Sequence, residues 1–369
     1  MSAGSGGIVQ TVPVGLAPPA FWGGAAGAPT PSAWAALVVG TLPGAALASL
    51  AAWGWLDEQT TLALFVPSYV GLNAMHMAGT WSRASLTPGL ARSRPIATVV
   101  IPCALAAAAL VLEALGFAVA LLGLQYYLSI HHGAMQHYGF VRASQRASGR
   151  TSGRWAVRAD QAACVLPLMA ALTHRARAVS AVYDGAPIPR PPEWLVEGLA
   201  AAAVLSVAAF VVRELAAWAR GERVEPLGPA VALVATGTWT ALIVAVEHPA
   251  LPFFALASGH YLQYLWAVDR IARPRPEAYG VLPPALRLRV HPAHSTRGHL
   301  VFLAALGGLG IAGVTVLAFA VRALATALEL RPADAMDLPP WGAAMIAVNL
   351  HHYWLDHTIW RTPPRPGTT

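Results

Sequence analysis

The chain has 369 residues, of which 56% are hydrophobic and 11% charged, and its mean hydropathy is +0.53. Soluble domains carry roughly 25% charged residues, so this chain lacks the charge to coat a water-facing fold. Its formal net charge of +7 comes from arginine with no lysine, and the arginines fall between apolar runs rather than along one face. That pattern marks membrane topology and not nucleic-acid binding.

Residues 1–31 are rich in Gly, Ala and Pro and lack a basic leader, so they read as a flexible tail, and the first apolar run doubles as the insertion signal. Apolar runs of about 20 residues, the length that a hydrocarbon core of roughly 30 Å requires of a helix, follow one another to the C-terminus. They lie at 32–56, 60–82, 95–115, 117–140, 159–174, 194–217, 227–246, 250–269, 299–328 and 338–360. The fifth is short and contains Pro167, so a re-entrant segment is as open there as a full crossing, giving nine or ten spans. The expected fold is an all-α polytopic membrane helix bundle, a single domain over 32–361 with a short tail at 362–369.

If all ten runs cross, nineteen of the twenty-four arginines collect on the side that holds both termini. The positive-inside rule then places both termini in the cytoplasm, as for a bacterial-type inner or plasma membrane. The segment from Arg142 to Arg158 is expected to meet anionic lipid heads. Two cysteines, Cys103 and Cys164, exclude a disulfide framework and a thiolate zinc site.

The thirteen histidines are unevenly placed. His76 lies near the end of the second run, His131, His132 and His137 near the end of the fourth, His260 in the eighth, and His351, His352 and His357 in the tenth. The first arginine follows seven residues after His76, ten after His132, ten after His260 and nine after His352. At about 1.5 Å per residue, four helices therefore bring imidazoles to one depth, roughly 10–15 Å below the cytoplasmic interface. An ionisable side chain at that depth needs a partner or a cavity, so a shared polar site is expected.

Adjacent histidines sit about 100° apart around a helix, so one of each HH pair faces such a site. Expected metal ligands are His76, His132, His260 and His352, with Asp356 orienting or completing the set. His131, His137, His351 and His357 are further candidates, His137 and His357 lying closer to the interface. Asn73, Gln136, Gln263, Asn349 and Tyr264, near these histidines, are expected to orient the ring nitrogens that do not hold metal. A lone membrane histidine is more often a packing residue, and the weight of the reading rests on the set.

Glu113, inside the third run, is a carboxylate in need of a partner. His291 and His294 fall in the basic linker 270–298 and His299 directly follows it, where a solvated loop is expected.

Imidazole ligands suit iron, in one or two ions, or copper, and also zinc, rather than magnesium or calcium. The clustering is similar in site chemistry to that of integral membrane desaturases and hydroxylases. Their HxxxH and HxxHH boxes are absent, however, and this chain has HHxxxxH at 131–137 and HHxxxDH at 351–357. The expected function is a metal-dependent membrane oxidoreductase, hydroxylase-, desaturase- or oxygenase-like, acting on an apolar or amphipathic substrate. Haem held by facing imidazoles, for electron transfer, and a proton- or cation-coupled transporter are the alternatives. Neither GxGxxG nor GxxxxGK[ST] occurs in a nucleotide-binding setting, so reducing equivalents would come from a separate reductase, which the arginine-rich face could dock.

Overall fold

The computed structural model describes residues 31–86, 94–150, 152–179, 190–246, 250–273, 279–332 and 338–361. Residues 1–30 and 362–369, expected as tails, lie outside the described residues. Helix is the only regular structure among those described. In chain order the helices are α1 (Pro31–Ala52), α2 (Glu58–Ser85), α3 (Ile96–Ala114), α4 (Ala118–Ala147), α5 (Arg154–Val179), α6 (Glu193–Ala219), α7 (Leu227–Ala245), α8 (Ala250–Ala272), the short α9 (Pro284–Val290), α10 (Thr296–Ala327) and α11 (Pro340–Arg361).

Each apolar run of the sequence is a helix, and several helices outlast their runs because the backbone stays helical into polar surroundings. Helix α5 is the clearest case. It continues unbroken through Pro167 for 26 residues, which at about 1.5 Å per residue is roughly 39 Å. Among the described residues, four helices, α3, α6, α7 and α10, are long and apolar enough to cross a membrane by length and composition. The helices that bear the clustered histidines fall outside that set because their polar groups dilute the hydropathy.

Helices α6 and α10 present their apolar side chains outward. Val204, Leu205 and Val212 on one, and Leu309, Val316 and Phe319 on the other, are exposed. Contiguous apolar surface of this kind is not stable against water, and a lipid bilayer is the surrounding that fits it.

Helices α2, α4, α8 and α11 occupy the interior. Helix α2 packs on α8, α10 and α11, and α11 packs on α3, α10, α2 and α4. Small residues set two of the close approaches. A Cβ on Gly259 of α8 would run into the Gly40 carbonyl of α1, and one on Gly307 of α10 would run into the Ala74 carbonyl of α2. Such residues let backbones approach where no hydrophobic effect drives association.

Helix α11 is tied to α3 by a backbone peculiarity. Its first turns, Ile96–Val100, are wound as a π-helix in which the Ile101 N–H bonds the Ile96 carbonyl. The Ala97 carbonyl would next meet residue 102, which is Pro102 and has no N–H. The Trp354 indole of α11 donates to that carbonyl at 2.9 Å.

Glu113 finds its partner. It is buried, and Arg322 of α10 donates to its carboxylate at 2.5 Å while Arg331 donates to its backbone carbonyl at 2.8 Å. The linker histidines depart from the expected solvated loop. His291 and His299 are buried and only His294 is exposed. His299 Nδ1 lies 3.2 Å from the Tyr279 hydroxyl and 3.1 Å from the Val290 carbonyl, where α9 folds back on α10. Burial pushes the Tyr279 phenol up to about 12.

Candidate metal centre

Helices α2, α4, α8 and α11 run parallel, as the spacing of their contacts shows. Between α2 and α11, Asn73 meets Asn349, His76 meets His352 and Thr80 reaches Asp356, each pair separated by 276 residues. Tyr69–Phe253, His76–His260 and Thr80–Tyr264 keep one offset of 184 between α2 and α8, and Tyr126–Phe253 and Gln136–Gln263 one of 127 between α4 and α8. A constant offset arises only when two helices advance in the same direction. Positions 7 and 3 residues before each of His76, His132, His260 and His352, and 4 after, share its helix face. The interior is therefore layered.

In the histidine layer, all four imidazoles converge. His76 Nε2 lies 2.7 Å from His352 Nε2, and His352 Nε2 lies 3.2 Å from His132 Nε2. The His260 ring centroid is 4.8 Å from that of His76 and 4.9 Å from that of His132. His76 and His352 are fully buried, His260 nearly so, and the His132 side chain is 14% exposed. Ligand atoms of His76, His132 and His260 fall within 4.8 Å of one another, as do those of His132, His352 and Asp356.

One turn nearer the C-terminal ends of these helices, Tyr264 donates to Asp356 Oδ1 at 2.7 Å, and the Thr80 hydroxyl lies 2.5 Å from that of Tyr264 and 3.4 Å from the carboxylate. Asp356 Oδ2 is 3.9 Å from His132 Nε2. The hydroxyl bonds fix the carboxylate beside the rings.

One turn to the other side, Asn73 donates to Asn349 at 3.2 Å, and Asn349 donates to Tyr69 at 3.4 Å. A further turn away, Tyr69 also accepts from Gln125 at 3.4 Å. Tyr69, Gln125 and Met345 belong to the site's surroundings and were missed in the sequence. Each lies seven residues before one of the four histidines, and that two-turn spacing is the signal that finds them.

The expectation that neighbouring amides would orient the ring nitrogens is corrected. Asn73 and Asn349 bond each other, and Gln136 donates to Gln263 at 3.1 Å and to the His260 backbone carbonyl at 3.3 Å. None of these bonds reaches an imidazole. His76 Nδ1, His352 Nδ1 and both nitrogens of His260 are buried with no hydrogen-bond partner among the described residues.

Four other candidates are placed differently from the four converging rings. His131 is exposed, because its 100° offset turns it away from the face that carries His132. His351 turns to α2 and accepts from the Trp81 indole at 3.2 Å. His137 faces α7, with Nδ1 3.0 Å from the Thr236 hydroxyl and its ring against Trp239. His357 is exposed.

The arginine stretch 142–158 also divides. Arg142 and Arg213 both pair with the fully buried Asp160, to which Gln145 adds a hydrogen bond at 3.0 Å, and Arg150 pairs with Glu214 at 2.6 Å. Arg146 is half-buried with one guanidinium nitrogen unpartnered among the described residues, and Arg154 and Arg158, stacked on the exposed Trp155, are exposed.

The donor set fits a transition metal. In octahedral or tetrahedral coordination, nitrogens bound at about 2.1 Å lie roughly 3.0–3.4 Å apart. The His352–His132 pair at 3.2 Å falls in that range, the His76–His352 pair at 2.7 Å is closer, and the remaining ligand atoms of each group lie within 4.8 Å. Comparison with known protein families, with curated proteins and with solved structures finds no match.

Proposed function

We propose that this protein is a membrane-embedded, metal-dependent oxidoreductase. Iron or copper would be held by His76, His132, His260 and His352, with Asp356 completing or orienting the set. One observation carries this reading: four imidazoles from four helices meet at one depth while His260 keeps both ring nitrogens unpartnered in a buried position. Buried polar atoms are ordinarily bonded, and a bound ion satisfies several here at once. The edge-to-face contact of the rings, with centroids 4.3–4.9 Å apart around His352, leaves no slot for a macrocycle and weighs against haem.

In this reading all ten long helices cross, with both termini and most arginines on the cytoplasmic side. When bound, the metal supplies oxygen activation or one-electron chemistry. For hydroxylation, one oxygen atom of O2 enters a C–H bond of an apolar substrate. The other leaves as water with two protons and two electrons, the electrons coming from a separate donor protein at the arginine-rich face. Tyr264 and Thr80 hold Asp356 by its Oδ1 and leave Oδ2 turned to His132.

A proton-coupled transporter is the second reading, favoured by the 2.7 Å contact between His76 and His352, a hydrogen-bond length if one ring carries a proton there. Metal analysis of detergent-purified protein, with a visible absorption spectrum, separates the two. Near-stoichiometric iron or copper without a Soret band supports the enzyme. Metal-free protein prepared with adequate iron, copper and zinc overturns it in favour of the transporter.

A further inference from the structure

Three tyrosines lay their rings against the clustered imidazoles. Between ring centroids, Tyr264 of α8 is 4.1 Å from His76, Tyr261 is 4.8 Å from His76, and Tyr353 of α11 is 4.9 Å from His132. What separates the three is the partner of the hydroxyl. Tyr353 meets the Ser129 hydroxyl and Tyr261 meets that of Tyr69, whereas Tyr264 donates to a carboxylate, Asp356 Oδ1, at 2.7 Å.

A phenol that loses an electron becomes strongly acidic, and in an apolar interior the charge it would carry is not solvated. The electron therefore leaves readily only where a base within hydrogen-bond reach takes the proton. A carboxylate is such a base, and a serine or tyrosine hydroxyl is not. The Thr80 hydroxyl, 2.5 Å from that of Tyr264, is placed to donate to the phenol oxygen and to hold it once its proton has gone. Tyr264 is buried at 2% exposure, so the proton stays within the Tyr264–Asp356 pair. Along α8, Arg270 follows Tyr264 by six residues, roughly 9 Å. Tyr264 thus lies between His260 and the arginine-bearing end of the helix.

We infer that Tyr264 is a redox-active tyrosine that gives one electron to the metal centre. The inference rests on the metal-oxidoreductase reading, which supplies the oxidant: the metal after it has passed electrons to dioxygen. In the step, the Tyr264 O–H bond breaks and the proton forms an O–H bond at Asp356 Oδ1. The electron goes to the metal, which is reduced by one, and a neutral phenoxyl radical remains on Tyr264. One electron from the separate donor protein then reduces the radical, and the proton returns from Asp356.

The test uses full-length protein in detergent, loaded without oxygen with excess ferrous iron or, in a parallel sample, cuprous copper. Metal content is measured, dioxygen is admitted, and samples are freeze-quenched at successive times for electron paramagnetic resonance. A narrow organic-radical signal is expected, with a hyperfine pattern that collapses when the protein carries ring-deuterated tyrosine. At equal metal content, Tyr264→Phe should lose the signal to background. Asp356→Asn, which keeps the phenol and removes the base, should lose it too, while Tyr261→Phe and Tyr353→Phe should retain it.

Metal-loaded parent protein that shows no radical, or a radical that persists in Tyr264→Phe or in Asp356→Asn, overturns the role of this pair and leaves the metal reading intact. Protein that takes up neither metal overturns the metal reading and this inference with it.

Discussion

Two regions bury polar groups in this molecule, and they are built on opposite plans. Around Asp160, positive and negative charges match, and both oxygens of Asp160 and of Glu214 are engaged by Arg142, Gln145, Arg150 or Arg213. Around His76, four like groups face one another and several ring nitrogens are left without a partner among the described residues. A closed network holds helices together and asks for nothing further. A cluster of unsatisfied donors and acceptors at membrane depth is costly unless something binds there. The comparison teaches that burial of polar groups does not mark a site, whereas incomplete satisfaction of converging ones does.

The sharpest way to break the comparison is to remove a histidine. His132→Ala or His352→Ala is expected to reduce bound metal from near one ion per chain to background while leaving the helical circular dichroism in detergent unchanged. Retention of metal by both variants would remove these two residues from the ligand set.

Asp160→Ala should do the opposite. It leaves the buried Arg142 without its carboxylate and the half-buried Arg213 with Glu214 alone, a defect of about 3 kcal/mol, read as earlier unfolding in denaturant titrations. Protein that remains folded should still bind metal.

A smaller effect is expected within the site itself. Asp356→Asn weakens the charge beside His132, and Tyr264→Phe frees the carboxylate to turn. Each should lower metal affinity by about 10–100-fold, as loss of a supporting interaction does, measured by competition with a chelator. If Asp356→Asn binds metal as the parent does, the carboxylate belongs with the structural groups and not with the site.

The smallest effect is expected at histidines that lie close in sequence but face elsewhere. His351→Ala loses the Trp81 hydrogen bond and should cost about 1 kcal/mol of stability. Metal content should not change, and any loss of it would bring His351 back into the ligand set.

Much of this arrangement was legible in the chain before folding. Apolar runs of spanning length gave the helices, and the counted distance from each histidine to the following arginine placed four imidazoles at one depth. Periodicity also limited each HH pair to one inward member. What periodicity left open was rotation. His137 lies five residues past His132, a rotation of about 140°, and only packing shows that this turns it toward Thr236 and Trp239 on α7. Asn73 and Gln136 bond amides and a backbone carbonyl rather than the ring nitrogens expected for them, because a sequence reports which face a side chain shares and not which of several neighbours it will bond.

The sequence by itself determined that this is a helical protein suited to a lipid environment, with histidines gathered at a common level. Those properties depend on hydropathy and on the rise per residue, which are local. Only the tertiary structure decided that α2, α4, α8 and α11 lie parallel and in register, that Asp356 is fixed by Tyr264 and Thr80, and that His137 faces α7. These depend on how each helix is rotated and which helices it meets, and that is set by packing between segments separated by as many as 276 residues.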